Sequence, residues 1–257
     1  MAERKGNKYT RPMGFFAMLW RLALTTGTGS IFGFLVARQA YDMALLAPMF
    51  VIMSFAYGLA IFMLVLMFTY DMERRPLGDA MLQRLKNLLG VFIGAVLYFT
   101  IVYHLTKLYG AKNQDLESWI LLNGGVYTAM FWIGWILVGN LVPLGIIYHP
   151  DLGKNRGWIA AACGLVVVGG LAAMYVLIIG SQAYPMEIFP GKSVIEPVLY
   201  GINGAAANYT PSIFEIMLGI GGVAVAMLIT AVGVRVLQFL PESLADDVAD
   251  PHLSAKA

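Results

Sequence analysis

ALLAPMFVIMSFAYGLAIFMLVLMFTY, residues Ala44 to Tyr70, runs for 27 residues without an acid or a base. A helix rises 1.5 Å per residue and the hydrocarbon core of a bilayer is about 30 Å thick, so roughly 20 such residues cross it. The segment reads as a membrane span, and the rest of the chain agrees. Of 257 residues, 59% are hydrophobic and 12% charged, about half the charge of a typical soluble domain, which leaves too little polar surface to cover one. Mean hydropathy is +0.73. These values predict an all-α integral membrane protein, a bundle of about six spans: Gly14–Ala37, Ala44–Tyr70, Leu88–Leu108, Ser118–Ile147, Trp158–Gly180 and Ser212–Leu240. The polar start leads into a full-length apolar segment with no small-residue cleavage pattern, unlike a signal peptide.

Lys and Arg in short loops set orientation. One face carries Arg4, Lys5, Lys8, Arg11, Arg74, Arg75, Arg84, Lys86, Lys154, Arg156, Arg235 and Lys256; the other carries only Arg38, Lys107, Lys112 and Lys192. Both termini are therefore expected in the cytoplasm. The domain plan is a cytoplasmic arm over 1–12, a transmembrane domain over 13–240 and an acidic tail over 241–257. The tail holds Glu242, Asp246, Asp247 and Asp250 without a periodic apolar face, and disorder is the expectation. Ser181 to Pro211, rich in proline yet apolar, is expected along the membrane interface or against another protein. The near-balanced charge, 17 basic against 15 acidic residues, excludes a nucleic-acid partner.

The side chains able to carry chemistry are few. Cys163 is the only cysteine, so an intrachain disulfide, a CxxC pair and an iron–sulfur site are excluded. A b-type haem needs two histidines at one depth, whereas His104 and His149 are expected on opposite membrane faces and His252 lies in the tail. Walker A, GxSxG and HExxH motifs are absent. No metal site is expected, and an autonomous redox enzyme is excluded. Glu215 sits one turn into the last span, where the helix dipole and orphan N–H groups favour a carboxylate; the alternative is a proton or quinone role. Glu187, Glu196, His104 and Tyr103 fall on the same, non-cytoplasmic face. Arg21, about 10 Å inside the first span at 1.5 Å per residue, either snorkels or lines a pathway, and with Asp71 or Glu73 forms the cytoplasmic candidate set.

Small residues mark close helix contacts. They are Thr25 to Ser30, the pairs Gly29/Gly33 and Gly90/Gly94, and Gly124, Gly125, Gly134, Gly139 and Gly145 of the fourth span. Pro143 is expected to kink that span, in which Asn123 and Asn140 need partners. The triplet Asn208-Tyr209-Thr210 has glycosylation spacing of little weight.

Three stretches carry a resemblance. Val102 to Pro150, VYHLTKLYGAKNQDLESWILLNGGVYTAMFWIGWILVGNLVPLGIIYHP, resembles the later helices of the NrfD/PsrC-like polysulfide reductase membrane subunits. Ala40 to Phe62 is similar to their WNTPLLP-type turn and helix, with Tyr41 at the aromatic position and Asp42 in place of Asn. Met174 to Gly191 and Pro211 to Pro241 look like the C-terminal region of DsrP-type subunits, which serve the Dsr sulfur-metabolism electron-transfer complex. Family members carry eight to ten spans, so the likeness is to the C-terminal part of the family fold. Because their quinone pocket is built largely in the first bundle, its ligands are not transferred residue by residue.

The resemblance implies a non-catalytic or quinone-site subunit of a respiratory or sulfur-metabolism oxidoreductase, multi-pass in a bacterial or archaeal cytoplasmic membrane. Such a subunit binds no haem or cluster. It exchanges electrons between the quinone pool, menaquinone or ubiquinone, and a ferredoxin-like iron–sulfur subunit on the non-cytoplasmic face, with proton movement as a coupled step. A multihaem cytochrome and another membrane subunit are the further partners implied. Two rival readings stand beside it: a transporter or ion-conducting protein, supported by intramembrane polar residues but not by half-to-half similarity, and a structural anchor without a quinone site.

Overall fold

A computed structural model describes residues 2–184, 211–237 and 243–246, with side chains from residue 9 onward. Among them the chain is helical: α1 (Ala2–Gly33), α2 (Leu46–Met72), α3 (Asp79–Tyr109), the short α4 (Gln114–Ser118), α5 (Val126–Tyr148), α6 (Arg156–Ala183) and α7 (Ile213–Leu237). Five of these, α2, α3, α5, α6 and α7, are long and apolar enough to cross a membrane. α1 covers the expected first span but falls short of them, because Arg21 and the Thr25–Ser30 run dilute its apolar content. The expected interfacial segment lies mostly outside the described residues, and so do Glu187, Glu196, the 208–210 triplet and His252.

α2 is the hub, packing against α1, α3 and α6, while α6 packs along the centre of α5. Three apolar cores result among the described residues, the smallest around Leu66, Tyr70 and Leu77 and the other two larger. One of the larger two, towards the 34–45 and 110–125 loops, is built from Met49, Met53, Tyr103, Phe131, Trp135 and Val176; the other, towards the 73–78 and 149–155 loops, from Met63, Leu89, Ile93, Ile147, Ile159 and Cys163. The Gly29/Gly33 pair does bring helices together. A Cβ on Gly29 would lie 2.7 Å from the Ala47 Cα, and one on Gly33 2.8 Å from the Met43 carbonyl. Gly90 is tight against the Tyr148 hydroxyl, whereas a Cβ on Gly94 would meet nothing within 4 Å.

The fourth span departs from its expected form. Instead of running unbroken from Ser118, the chain makes α4, a π turn over Trp119–Asn123, a break at Gly124–Gly125 and then α5. Gly125 has φ 58°, a left-handed conformation open to glycine. The Thr128 hydroxyl closes the break, accepting from the Gly124 N–H at 2.9 Å and donating to the Trp119 carbonyl at 3.2 Å. Within α5, Met130–Leu141 is π-helical up to Pro143. Proline has no N–H to donate and its ring crowds the carbonyl four residues earlier, so widened turns accommodate it without a break. The same stretch brings Gly139 onto α6, where the two backbones approach so closely that a Cβ on Gly169 would collide with the Gly139 Cα.

The acidic tail is not wholly free. Leu244 forms a parallel bridge with Leu77, the Gly78 N–H donates to the Leu244 carbonyl at 2.7 Å, and the Ala80 N–H donates to the Asp246 carboxylate at 3.0 Å. Charge alone leads to an expectation of disorder. Asp246 instead satisfies an orphan donor in the first turn of α3, where Gly78 provides no side-chain cap.

Candidate functional site

At the end of the bundle formed by loops 34–45 and 110–125 and the close of α6, polar side chains enter the core. Tyr103, His104 and Lys107 fall on one face of α3 by helical spacing, and all three are buried. The Tyr103 hydroxyl donates to the Ala40 carbonyl and the Lys107 ammonium to the Gln39 carbonyl, so both clamp the 34–45 loop. Lys107 also lies 5.9 Å from the Tyr103 ring centre. Tyr41 in that loop donates to the Ile178 carbonyl at 3.2 Å, and Arg38 donates to the Gln182 carbonyl at 3.1 Å, tying the loop to α6. Burial raises the Tyr41 pKa, which keeps its hydroxyl a donor.

The centre of the site is an imidazole–carboxylate pair. The 110–113 turn and α4 return the chain so that Glu117 Oε2 lies 2.6 Å from His104 Nδ1. Glu117 is 0% exposed and His104 8%. Only a shared proton allows two such electronegative atoms so close. The His104 ring stands edge-on to Phe131 at 4.8 Å and to Tyr103 at 5.0 Å. Among the described residues His104 Nε2 and Glu117 Oε1 have no hydrogen-bond partner, and neither has Trp135 Nε1, on the ring that stacks edge-on against Phe131. A buried pair with a free nitrogen and a free oxygen can take up or release a proton, because each outer atom is an open acceptor or donor position.

Of the sequence-derived candidates, the structure unites Tyr103 and His104. Glu215 stands apart in a reciprocal capping box, its carboxylate accepting from the Ser212 N–H at 2.7 Å and its own N–H donating to the Ser212 hydroxyl at 3.4 Å. Arg21 is exposed on α1 and makes no ion pair with Asp71 or Glu73 among the described residues; Glu73 pairs with Arg75 at 2.7 Å instead. The structure therefore does not bring the cytoplasmic set together. Asn140 is buried and donates to the Trp135 carbonyl at 2.7 Å, while Asn123 is exposed. His149 accepts from the N–H groups of Asp151 and Leu152 at 3.3 Å, a turn-capping role at the opposite end from His104. Among the described residues no three His, Cys, Asp or Glu side chains cluster as a metal site would require.

Sequence reasoning missed Glu117, Lys107 and Lys86. In sequence, Glu117 reads as a loop acid just ahead of a span expected to begin at Ser118. No sequence signal places it inward, since an acid just ahead of a span ordinarily meets water at the membrane interface. Lys86, which counts among the loop charges by sequence, is buried and donates to the Gly153 carbonyl at 3.0 Å beside Gln83, which reaches the same oxygen at 2.9 Å.

Long apolar helices and a buried imidazole–carboxylate pair define a multi-pass helical membrane protein with a polar site at one end. The chain belongs to the polysulphide reductase NrfD family, whose model matches residues 2–186, and it is a multi-pass protein of a prokaryotic cytoplasmic membrane. It is similar to the Hdr-like menaquinol oxidoreductase integral membrane subunit of Archaeoglobus fulgidus, 30% identical over 245 residues covering 95% of this chain and 61% of that one. The selenate reductase C subunit of Mesobacillus selenatarsenatis is 24% identical across 91% of this chain and 53% of its own. A putative dimethyl sulfoxide reductase membrane protein of Halobacterium salinarum, again a C subunit, is 27% identical across 84% and 50%. The chain thus spans 50 to 61% of the length of these relatives. No solved structure matches it.

Proposed function

We propose that the chain is a quinone-interacting membrane subunit of an oxidoreductase complex, exchanging electrons between the quinone pool and a ferredoxin-like iron–sulfur subunit docked at the His104–Glu117 end. The observation that carries this reading is the buried pair with its two open atoms, His104 Nε2 and Glu117 Oε1. The names of the relatives, one a menaquinol oxidoreductase integral membrane subunit and two of them C subunits of reductases, support it. Quinol oxidation releases two protons and two electrons; the clusters of the partner subunit take the electrons.

This chain's residues supply the proton side. His104 Nε2 or Glu117 Oε1 accepts a proton, the 2.6 Å contact spreads the charge across the pair, and Tyr103 and Lys107 hold the loop that roofs it. Menaquinone suits the archaeal relative's name, with ubiquinone as the alternative. The DsrP-type likeness of residues 174–191 and 211–241 extends the proposal to sulfur metabolism, with a multihaem cytochrome and a second membrane subunit as further partners. Coupled proton translocation belongs to the same proposal.

The test is quinol-linked turnover of the intact complex from its native membrane. Glu117→Gln keeps size and removes the acid, and a group in proton transfer contributes about 10²–10⁴-fold, so turnover should fall at least tenfold with the complex still assembled. Unchanged turnover and an unchanged pH profile in both Glu117→Gln and His104→Gln would sink the proton role.

A further inference from the structure

At the other end of the bundle, between the ends of α2 and α6, lies a cavity of about 630 Å³. Its walls differ in kind. The part towards the membrane interior is apolar, with Leu64, Phe68 and Ala160; the outer rim carries Arg74, Arg75 and Arg156 against a single lining acid, Asp71.

The rim cations are held in place but not all are neutralised. Arg75 pairs with Glu73 at 2.7 Å. Arg156 is fixed by Asp79 at 2.7 Å and by the Leu77 carbonyl at 2.5 Å, both through the Nε/Nη2 side, which leaves Nη1 without a partner among the described residues. The Arg74 side chain makes no hydrogen bond or ion pair among them. Arg74 is also the one described non-glycine residue with a positive φ, 52°, in the tight turn that ends α2. A strained backbone position that presents to a cavity a guanidinium without a partner among the described residues is one that surrounding structure must impose.

A ligand for such a space is an amphiphile with an anionic head. Guanidinium groups recognise phosphate through paired N–H donors, and an apolar inner wall leading from helix to bilayer receives acyl chain rather than water. The excess of Lys and Arg at this end is the mark of the leaflet face where anionic lipids attract cations. We propose that the cavity is a binding site for an anionic phospholipid, its phosphate held by Arg74 and Arg156 and the start of its acyl chains laid along Leu64, Phe68 and Ala160.

The test is native mass spectrometry of the complex extracted from its own membrane, titrated with phosphatidylglycerol, phosphatidylcholine or inorganic phosphate. Phosphatidylglycerol should be retained in preference to phosphatidylcholine. Arg74→Gln should weaken that retention about tenfold, the effect of removing a charged hydrogen-bond donor, and Arg74→Lys should restore part of it. Ala160→Trp, which fills the apolar wall and spares the rim, is the second variant and should also lower retention. Equal retention of both lipids, no change in either Arg74→Gln or Ala160→Trp, or lipid displacement by millimolar inorganic phosphate would overturn the proposal; the last would mark a site for a free anion.

Discussion

His104 and Glu117 are thirteen residues apart in sequence and 2.6 Å apart in space, and the difference between those facts is why half the site is legible in the sequence and half is not. Helical spacing alone puts Tyr103, His104 and Lys107 on one side of α3, which makes the histidine visible. Glu117 reaches it only because Gly110 and the 111–113 turn reverse the chain, and no periodicity announces a reversal. Glu215 shows the opposite case: of its two readings the helix-terminus one is visible in the sequence, since a carboxylate three residues after Ser212 is a capping signature, and the structure uses it as one. Glu215→Gln should therefore leave quinol-linked turnover of the complex unchanged, in contrast to Glu117→Gln in the same assay. Tyr41 allows a pH prediction. Its folded-state pKa is raised by burial, so the neutral hydroxyl contributes stability that is fully present below the unfolded value of about 10 and is lost as pH rises from there through the folded value. Wild type should lose thermal stability above about pH 10 more steeply than Tyr41→Phe, which at neutral pH should be less stable by about 0.5–1.5 kcal/mol for the missing bond to the Ile178 carbonyl; parallel alkaline melting curves in detergent would refute this.

Among the elements, α2, α3 and α6 are readable because hydropathy and length are all that a spanning helix requires. The interruption before α5 is not, since it depends on Gly125 adopting φ 58° and on Thr128 bridging Trp119 to Gly124, local chemistry that an apolar window averages away. The glycines of α5 read as a thin side, but which of them matter is a question of partners. A Cβ on Gly139 would come 2.6 Å from the Gly169 Cα, whereas one on Gly145 would meet nothing within 4 Å. Overpacked cores lose about 1–3 kcal/mol even where side chains can give way, and here the opposing atoms are backbone. Gly139→Ala or Gly169→Ala should lower the melting temperature of the detergent-solubilised protein markedly, while Gly145→Ala should leave it level or raise it, since alanine is favoured over glycine in a helix by about 0.8–1 kcal/mol. The tail contact adds an element-scale test of its own: Asp246→Ala removes the acceptor for the Ala80 N–H and should destabilise the start of α3 by about 0.5–2 kcal/mol, read as faster amide exchange confined to its first turn.

At the scale of the whole molecule, the two ends of the bundle differ in chemistry. One end holds the enclosed His104–Glu117 pair under loops clamped by Lys107, Tyr103 and Arg38; the other exposes arginines around an open cavity. Charge asymmetry predicts which end faces the cytoplasm, because Lys and Arg in short loops resist translocation, and here they gather at the arginine end. The prediction has a direct measurement. Alkaline phosphatase fused after Lys112 should be active and a fluorescent protein fused there dark, while fusions after Ala257 should behave in reverse. That result puts the buried pair on the outer side, where the proposed iron–sulfur partner would dock and where the proposed proton release would take place. The inverse pattern would place the pair at the inner surface, so that the partner would have to approach from the cytoplasm and the anionic lipid of the arginine cavity would have to come from the outer leaflet. Orientation is thus the single quantity on which both proposals depend without either determining it, and the reporter fusions read it independently of turnover and of lipid binding.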